Sequence, residues 1–445
     1  MHQADNAVGK GTLQRCDAVG HIFGCHFFIL CFVLQNTESG RSAQPRSDHA
    51  REEDDLTQDS DLSSRYAQSI PDCPLVEVSG PPRERGRQYG EQAAARIRRG
   101  IEHYTEQLEA NNLDAGAVRR ITSHFAENLR PEADDLLDEM AGIAEGAGVD
   151  VHSIMLLNAR TEVLKIARRR QKGLPDFIEP DGCTGVMVEP SATTGGALIH
   201  AQDWDWKTEC AETAVVLRIL RDDGPDILTF TEAGGLARAG FNTAGISITG
   251  NYLESERDYR TPGTPLAVVR RRALEQQHLA QAIGIVHGTR KSASNNIMLA
   301  HADGVALNFE CVPDETFPIT AEAGVMVHAN HFTSPAAQVR VEDRGIANMP
   351  DSLYRDLRVK ALLAEARVRN GGLGVEDVKA ALFDDFQSPW SVCRPPRRSL
   401  SNNQSATVAM IVMQPAAGRM EVAILPALNR SFQTYDLPRR DCPQV

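Results

Sequence analysis

From residue 183 onward the chain is a series of short apolar runs separated by turn residues. CTGVMVEP, GALIHAQDW, AVVLRILR, DILTFTEAG, GISITGN, NIMLAHADG, VALNFECV, VMVHANHF, TVAMIVM and MEVAILP are rich in β-branched residues and bounded by Gly, Asp, Asn or Pro. Many are continuously apolar rather than alternating, the pattern of strands buried on both faces. Two helical stretches interrupt them, over 265–285 and 352–369. Ahead of residue 183 the period changes. LVEVSG, from Leu75, reads as a strand that turns at Pro81-Pro82, and a helix follows over 86–107. Leu136, Leu137, Met140, Ile143 and Ala144 form an apolar stripe at helical spacing, read as a helix packed on a core and ended by Gly146 and Gly148. Another helix is expected over 153–166. Residues 167–182, ARRRQKGLPDFIEPDG, are polar with two prolines and read as an exposed loop. Helices followed by a strand-rich body with helices of its own indicate an α+β fold, with sheets packed on each other and helices outside.

The ends of the chain read differently. Residues 22–34 form the one long apolar run, too short to span a bilayer comfortably. Its length suits the core of a secretory signal, but Asp5 and Asp17 dilute the basic flank and no small-x-small cleavage site follows. Residues 35–72 are polar, charged and rich in Ser, Asp and Arg, so residues 1–74 read as a disordered extension. Sixty acidic against 47 basic residues give a formal charge of −13, which excludes a broad phosphate-neutralising face. No nucleic-acid or membrane partner is expected. The basic clusters at 168–170 and 270–272 read as solvated faces. The nine cysteines include no CxxC pair and are odd in number, which fits a reducing, cytoplasmic setting better than a disulfide framework or a zinc site.

The chain carries no GxSxG elbow, no GxxxxGK[ST] loop, no GxGxxG and no HExxH. Three constellations remain. The first is Asp181-Gly182-Cys183-Thr184-Gly185, where the polar loop meets a strand. Glycine leaves the preceding carbonyl open to attack. Thiol attack on it would form a thioester, and water would release a new N-terminus. Cys183 would then carry a thiol, of reference pKa about 8.5, and an α-amine, about 7.7–8.0, so that one residue supplies nucleophile and base. The second is His200-Ala-Gln-Asp-Trp-Asp-Trp206, in which strand alternation places Asp203 and Asp205 on one face and the tryptophans on the other. A buried carboxylate needs a partner, and an α-ammonium is a good one; a turn's backbone amides are the alternative. The third is Val327-His-Ala-Asn-His-Phe332. Asn330 offers a neutral amide of the kind used in an oxyanion hole. On a strand His328 and His331 would point to opposite faces, so no metal site is read there. Cys210, Cys311 and Cys393 read as core thiols, Trp390 and 394–398 as packing and a solvated loop, and His301 as a turn residue.

These segments resemble the autoproteolytic cysteine acyltransferases and hydrolases typified by fungal acyl-coenzyme A:6-aminopenicillanic acid acyltransferase, a peptidase C45-like branch of the N-terminal-nucleophile (Ntn) hydrolases. The resemblance runs from about Leu75 to Leu437. GRQYG (86–90) and Leu157-Asn-Ala-Arg-Thr-Glu162 precede the cysteine, and DGCT, QDWDW, FTEAG with GFNTAG (230–245), VHANHF and PWSVCR (389–394) follow in the family's order. It implies a four-layer αββα sandwich, the Ntn-hydrolase fold, in one catalytic domain. Residues 75–182 would be the helical α-subunit segment and 183–445 the β-subunit core, held together after cleavage between Gly182 and Cys183. Cys183 would be the nucleophile, Asp205 would orient the α-amine, and Asn330, with Asn251, would stabilise the tetrahedral intermediate. No cofactor and no metal are implied; the partner is a small acyl amide or thioester. This chain departs from the fungal enzyme at Gly185, where that enzyme has threonine. It departs also at Asn403-Gln404-Ser405-Ala406-Thr407, in place of Ser-Arg-Gly-Ala-Thr, and so a penicillin substrate and coenzyme A use are not expected to carry over. Gln202 stands where bile-salt hydrolases have arginine. Hydrolysis is the expected outcome over acyl transfer. The competing readings are an unprocessed cysteine hydrolase pairing Cys183 with His328 or His331, a non-catalytic binding protein on the same scaffold, and a β-alanyl-amine hydrolase activity within the family.

Overall fold

The computed structural model describes Tyr66 and residues 69–110, 113–170, 182–398 and 404–437. The apolar run at 22–34, nearly all of the N-terminal extension, the loop 171–181 and the side chains of 168–170 lie outside the described residues. Upstream of Cys183 run β1 (Leu75–Ser79), α1 (Pro82–Gln92), α2 (Ala94–Ala110), α3 (Ala115–Ala147), α4 (Val151–Asn158) and α5 (Arg160–Arg170). Then come β2 (Gly182–Val188), β3 (Ile199–Lys207), β4 (Ala214–Leu220), β5 (Ile227–Glu232), β6 (Ala239–Asn242) and β7 (Ile246–Tyr252). Helices α6 (Leu266–Leu274) and α7 (Leu279–Gly288) precede β8 (Asn295–His301), β9 (Val305–Val312), β10 (Glu315–Thr320) and β11 (Val325–His328). The chain closes with α8 (Pro335–Arg340), α9 (Gly345–Asn348), α10 (Ser352–Asn370), α11 (Val375–Leu382), β12 (Arg397–Arg398), β13 (Gln404–Gln414), β14 (Arg419–Ile424) and β15 (Gln433–Asp436).

Among the described residues these strands form two sheets. One has eight strands in the order β1-β4-β5-β6-β7-β8-β9-β10; the other has seven, β11-β2-β3-β13-β14-β15, with β12 beside β13. Only β1 with β4 is parallel; every other pairing described is antiparallel. The sheets stack through β2 and β3 on β7, with α6 and α7 outside the first sheet and α10 and α11 outside the second. This is the αββα sandwich. Every residue of β2, β3, β5 and β7 is buried, polar side chains such as His200, Gln202, Asp203 and Asp205 included.

Several helices differ from the sequence expectation. The helix expected over 86–107 is two, parted at Ala93 without a glycine or proline: α1 packs on α3, whereas α2 packs on the short 3₁₀ helix Thr208–Thr213. The α1–α3 crossing is very close. A Cβ on Gly86 would stand 2.1 Å from the Glu139 carbonyl oxygen, and one on Gly142 would stand 2.1 Å from that of Arg83. Helix α3 begins long before its apolar stripe and passes through Pro131, with a kink at Ala133. The helix expected over 153–166 is broken at Ala159 because Asn158 turns its amide to the loop beyond β5, donating to Gly234 O (2.9 Å) and accepting from Leu236 N (2.8 Å). The cluster at 270–272 is not a solvated face. Arg270 and Arg271 are buried, and Arg271 is paired with Glu139 and Glu275.

Candidate active site

Strand register assembles the centre. Cys183 on β2 lies opposite Trp204 on β3, Gly182 opposite Asp205, and Thr184 opposite Asp203. Opposed residues share a face, so the Cys183 thiol points with Trp204 toward the other sheet, while both aspartates point toward α10. His200 and Gln202, on the tryptophan's face, bond to Ser247, Thr249 and Asn251 of β7. The alternation expected for Asp203, Trp204, Asp205 and Trp206 is therefore what the strand shows.

The peptide nitrogen of Cys183 donates to Asn330 Oδ1 at 2.9 Å. Asn330 Nδ2 donates to Tyr252 O (2.9 Å), and its backbone N–H donates to Ser352 Oγ (2.7 Å). Gly182 is tightly enclosed: a Cβ there would lie 2.8 Å from Arg394 Nη1 and 2.9 Å from Asp205 Oδ2. At Gly185 the corresponding space is filled by the Met298 thioether, with Asn251 beside it. Asn251 Nδ2 donates to the carbonyls of His328 (2.7 Å) and Ala329 (3.0 Å), and its Oδ1 accepts from Gln202 (2.7 Å). In the intact chain its amide thus shapes the bend that carries Asn330.

Arginines the sequence reading did not assign tie these residues together. Arg355, on α10 and wholly buried, donates to Cys183 O (2.7 Å), Thr184 Oγ1 (2.8 Å) and Asn330 Oδ1 (2.7 Å), and pairs through Nε with Asp351 (2.8 Å). Arg394 is not on a solvated loop. It is buried, its Nε lies 3.3 Å from Asp205 Oδ2 in an ion-pair contact, and its Nη2 bonds to Asp351. Asp205 Oδ1 accepts from Thr407 Oγ1 at 2.7 Å, whereas Oδ2, the oxygen facing Gly182, accepts no hydrogen bond. Asp203 is fully buried with both carboxyl oxygens unpartnered. On the opposite face Arg238 Nη2 lies 3.4 Å from Cys183 Sγ.

The charges sort by surroundings. Burial raises the Asp205 carboxyl above the ordinary range, against the pull of Arg394, Arg355 and Thr407. Asp203 is raised further by burial and then by the charge of Asp205. Asp351 is also buried, but Arg394 and Arg355 overcome that and hold it down at about 2. The two histidines do not diverge as expected. β11 ends at His328, and the chain bends so that the rings of His328 and His331 stack at 6.4 Å. His328 is bound to Glu310 (2.8 Å) and His331 to Ser352 (2.8 Å), so neither pairs with Cys183. Burial pushes His331 down to about 4. Among the described residues no group of three or more His, Cys, Asp or Glu is placed to hold a metal ion. Cys210, Cys311 and Cys393 are buried free thiols, and His301 accepts from Asp303 N–H within its turn, both as expected, while its Nε2 also bonds Ala244 O in the turn between β6 and β7.

Signals for the missed residues exist in the sequence. Arg355 shares the buried stripe of α10 with Val359 and Leu363 at a spacing of four, and Arg394 closes the PWSVCR segment. Nothing in the sequence marks Arg238.

A family model described as acyl-coenzyme A:6-aminopenicillanic acid acyl-transferase matches residues 192–425. The acyl-coenzyme A:6-aminopenicillanic-acid-acyltransferase 40 kDa form of Emericella nidulans is 29% identical over 367 residues, covering 81% of this chain and 94% of the relative. Among solved structures, a mutant conjugated bile acid hydrolase from Clostridium perfringens aligns at 13% identity and a TM-score of 0.42, over 58% of this chain and 93% of that one. The Caenorhabditis elegans ortholog of N-acylethanolamine-hydrolyzing acid amidase aligns at 16% identity and a TM-score of 0.38, over 57% of this chain and 100% of that one.

Proposed function

Because the chain belongs to the acyl-coenzyme A:6-aminopenicillanic acid acyl-transferase family, we propose that it cuts its own backbone between Gly182 and Cys183. The freed Cys183 then acts as an N-terminal nucleophile on amide or thioester bonds of small acylated amines. One observation carries the reading. An Asp205 oxygen without a hydrogen bond faces Gly182, while the nitrogen of the same peptide bond is held by Asn330 at 2.9 Å. A buried carboxylate oxygen stands beside the place where a new amine would form.

In the self-cleavage step Cys183 Sγ bonds to the Gly182 carbonyl carbon as the C–N bond breaks, and the thiol proton passes to the departing nitrogen. Water then hydrolyses the thioester, giving a Gly182 carboxylate and a free Cys183. In turnover the α-amine takes the thiol proton and delivers it to the leaving amine, and water resolves the acyl-enzyme. Asp205 orients the α-ammonium. Asn330 is the proposed oxyanion donor and Asn251 the second, each acting through Nδ2 once the bonds those groups make, to Tyr252 O and to the carbonyls of His328 and Ala329, rearrange. Residues 75–182 and 183–445 are the proposed subunits and remain paired.

Mass spectrometry of the purified protein tests this. The expected result is a break between Gly182 and Cys183, absent in Cys183→Ala. Recovery of active enzyme as one uncut polypeptide would end the proposal. In the processed enzyme Asn330→Ala should lower the rate about 10²–10³-fold.

A further inference from the structure

We propose that Arg238 is a further catalytic residue: its guanidinium holds the Cys183 sulfur as a thiolate. The inference rests on Cys183 being the nucleophile. Arg238 stands in the turn ahead of β6, on the sheet opposite Cys183, and is 5% exposed. Its Nη2 lies 3.4 Å from Sγ, and its guanidinium carbon lies 4.2 Å from the centre of the Trp204 ring. Trp204 is wholly buried and braced edge-on by Phe230 at 5.6 Å. Contact with the face of a fixed ring sets the place of the cation. A guanidinium beside a sulfur, with little water between, favours the anionic form of that sulfur.

The division of labour follows from strand alternation. Asp205 lies on the far face of the β2–β3 pair from the thiol, so it is placed to serve the Cys183 nitrogen. Arg238 lies on the near face and serves the sulfur. Arg238 also lines a cavity together with Asn158, Arg160 and Glu162 of the upstream helices and Tyr252 and Arg270 of the downstream core. In the acylation step the Sγ–C bond forms and the substrate's C–N bond breaks. The thiol proton already rests on the α-amine when the thiolate attacks, the resulting α-ammonium passes it to the leaving amine, and Arg238 stays charged throughout.

The test is the rate at which iodoacetamide alkylates residue 183 in the processed enzyme, followed against pH. Arg238→Gln should be labelled about tenfold more slowly than wild type near pH 6.5, and the two should converge near pH 9.5. Arg238→Lys should lie between them. Equal rates for wild type and Arg238→Gln across the range would overturn the proposal. If neither variant folds, the wild type alone decides. Labelling at pH 6 within about threefold of that at pH 8 supports a held thiolate, whereas a fall of about tenfold per unit below pH 8 refutes it. A wild-type chain that is neither cut nor labelled at residue 183 sinks the parent reading instead, and this inference with it.

Discussion

Arg85, Glu139, Arg271 and Glu275 are buried together where α1, α3 and α6 meet, and Asp205, Asp351, Arg355 and Arg394 are buried together beneath β2 and β3. Residue types are nearly the same, but the bonding differs. Both Glu139 oxygens accept from arginine, at 2.6 Å from Arg85 and 2.7–2.9 Å from Arg271. Burial would raise that carboxyl, yet Arg271 and Arg85 bring it below its ordinary value. Under β2 one Asp205 oxygen accepts no hydrogen bond and Asp203 accepts none, and there burial prevails and raises both. A cluster whose acceptors are all met is a structural fastening. One that keeps acceptors open beside a peptide bond is placed for chemistry.

The largest expected effect would break the fastening. Glu139→Ala leaves Arg85 buried without its carboxylate and Arg271 with Glu275 alone, and should cost about 3–5 kcal/mol in denaturant titration. Self-cleavage of the folded fraction should keep its normal rate. A loss below about 1 kcal/mol would show that the cluster does not lock the helices. Next in size is Gly182→Ala. Its methyl group would enter the space held by Asp205 and Arg394 and should slow self-cleavage by at least about a hundredfold without unfolding the chain. Cleavage at the normal rate would mean that the crowding is irrelevant to the bond.

The smallest effect sharpens the contrast through pH. The folded chain holds the Asp203 proton more tightly than the unfolded chain does, so this group costs increasing stability as pH rises above the unfolded value of about 3.9. Glu139 has the opposite sign: its contribution is present above its unfolded value and is lost as pH falls through the lowered one. In a Cys183→Ala background, Asp203→Asn should therefore melt about 3 °C higher than its parent at pH 8, with the gap closing toward pH 4. A gap that widens on acidification would reverse the assignment.

The strands were legible because burial on both faces leaves long apolar runs such as AVVLRILR and TVAMIVM. The helix breaks at Ala93 and Ala159 were not, since they follow from partners distant in sequence. β11 is shorter than VMVHANHF for the same reason. Asn251 takes the carbonyls of His328 and Ala329, and Ser352 takes the N–H of Asn330, so side chains replace the ladder where a strand would have continued. Cys183, Asp205 and Asn330 could be picked out because each sits in a distinctive local motif. Arg238 could not, because nothing around it in AGGLARAGF marks a site, and Arg355 and Arg394 carry only weak signals, because an arginine reads as solvated until a helix or a neighbouring sheet closes over it.

The Glu139 cluster also bears on the fate of the upstream piece. Arg85 and Glu139 precede residue 183, and Arg271 and Glu275 follow it. A cut before Cys183 would therefore leave a rivet through both halves. Shedding the leading half, as a pro-segment is shed, would break the Arg271–Glu139 bonds and open that packed seam to water. Dilution alone would not part the halves, and the mature particle would behave in a sizing column as though never nicked.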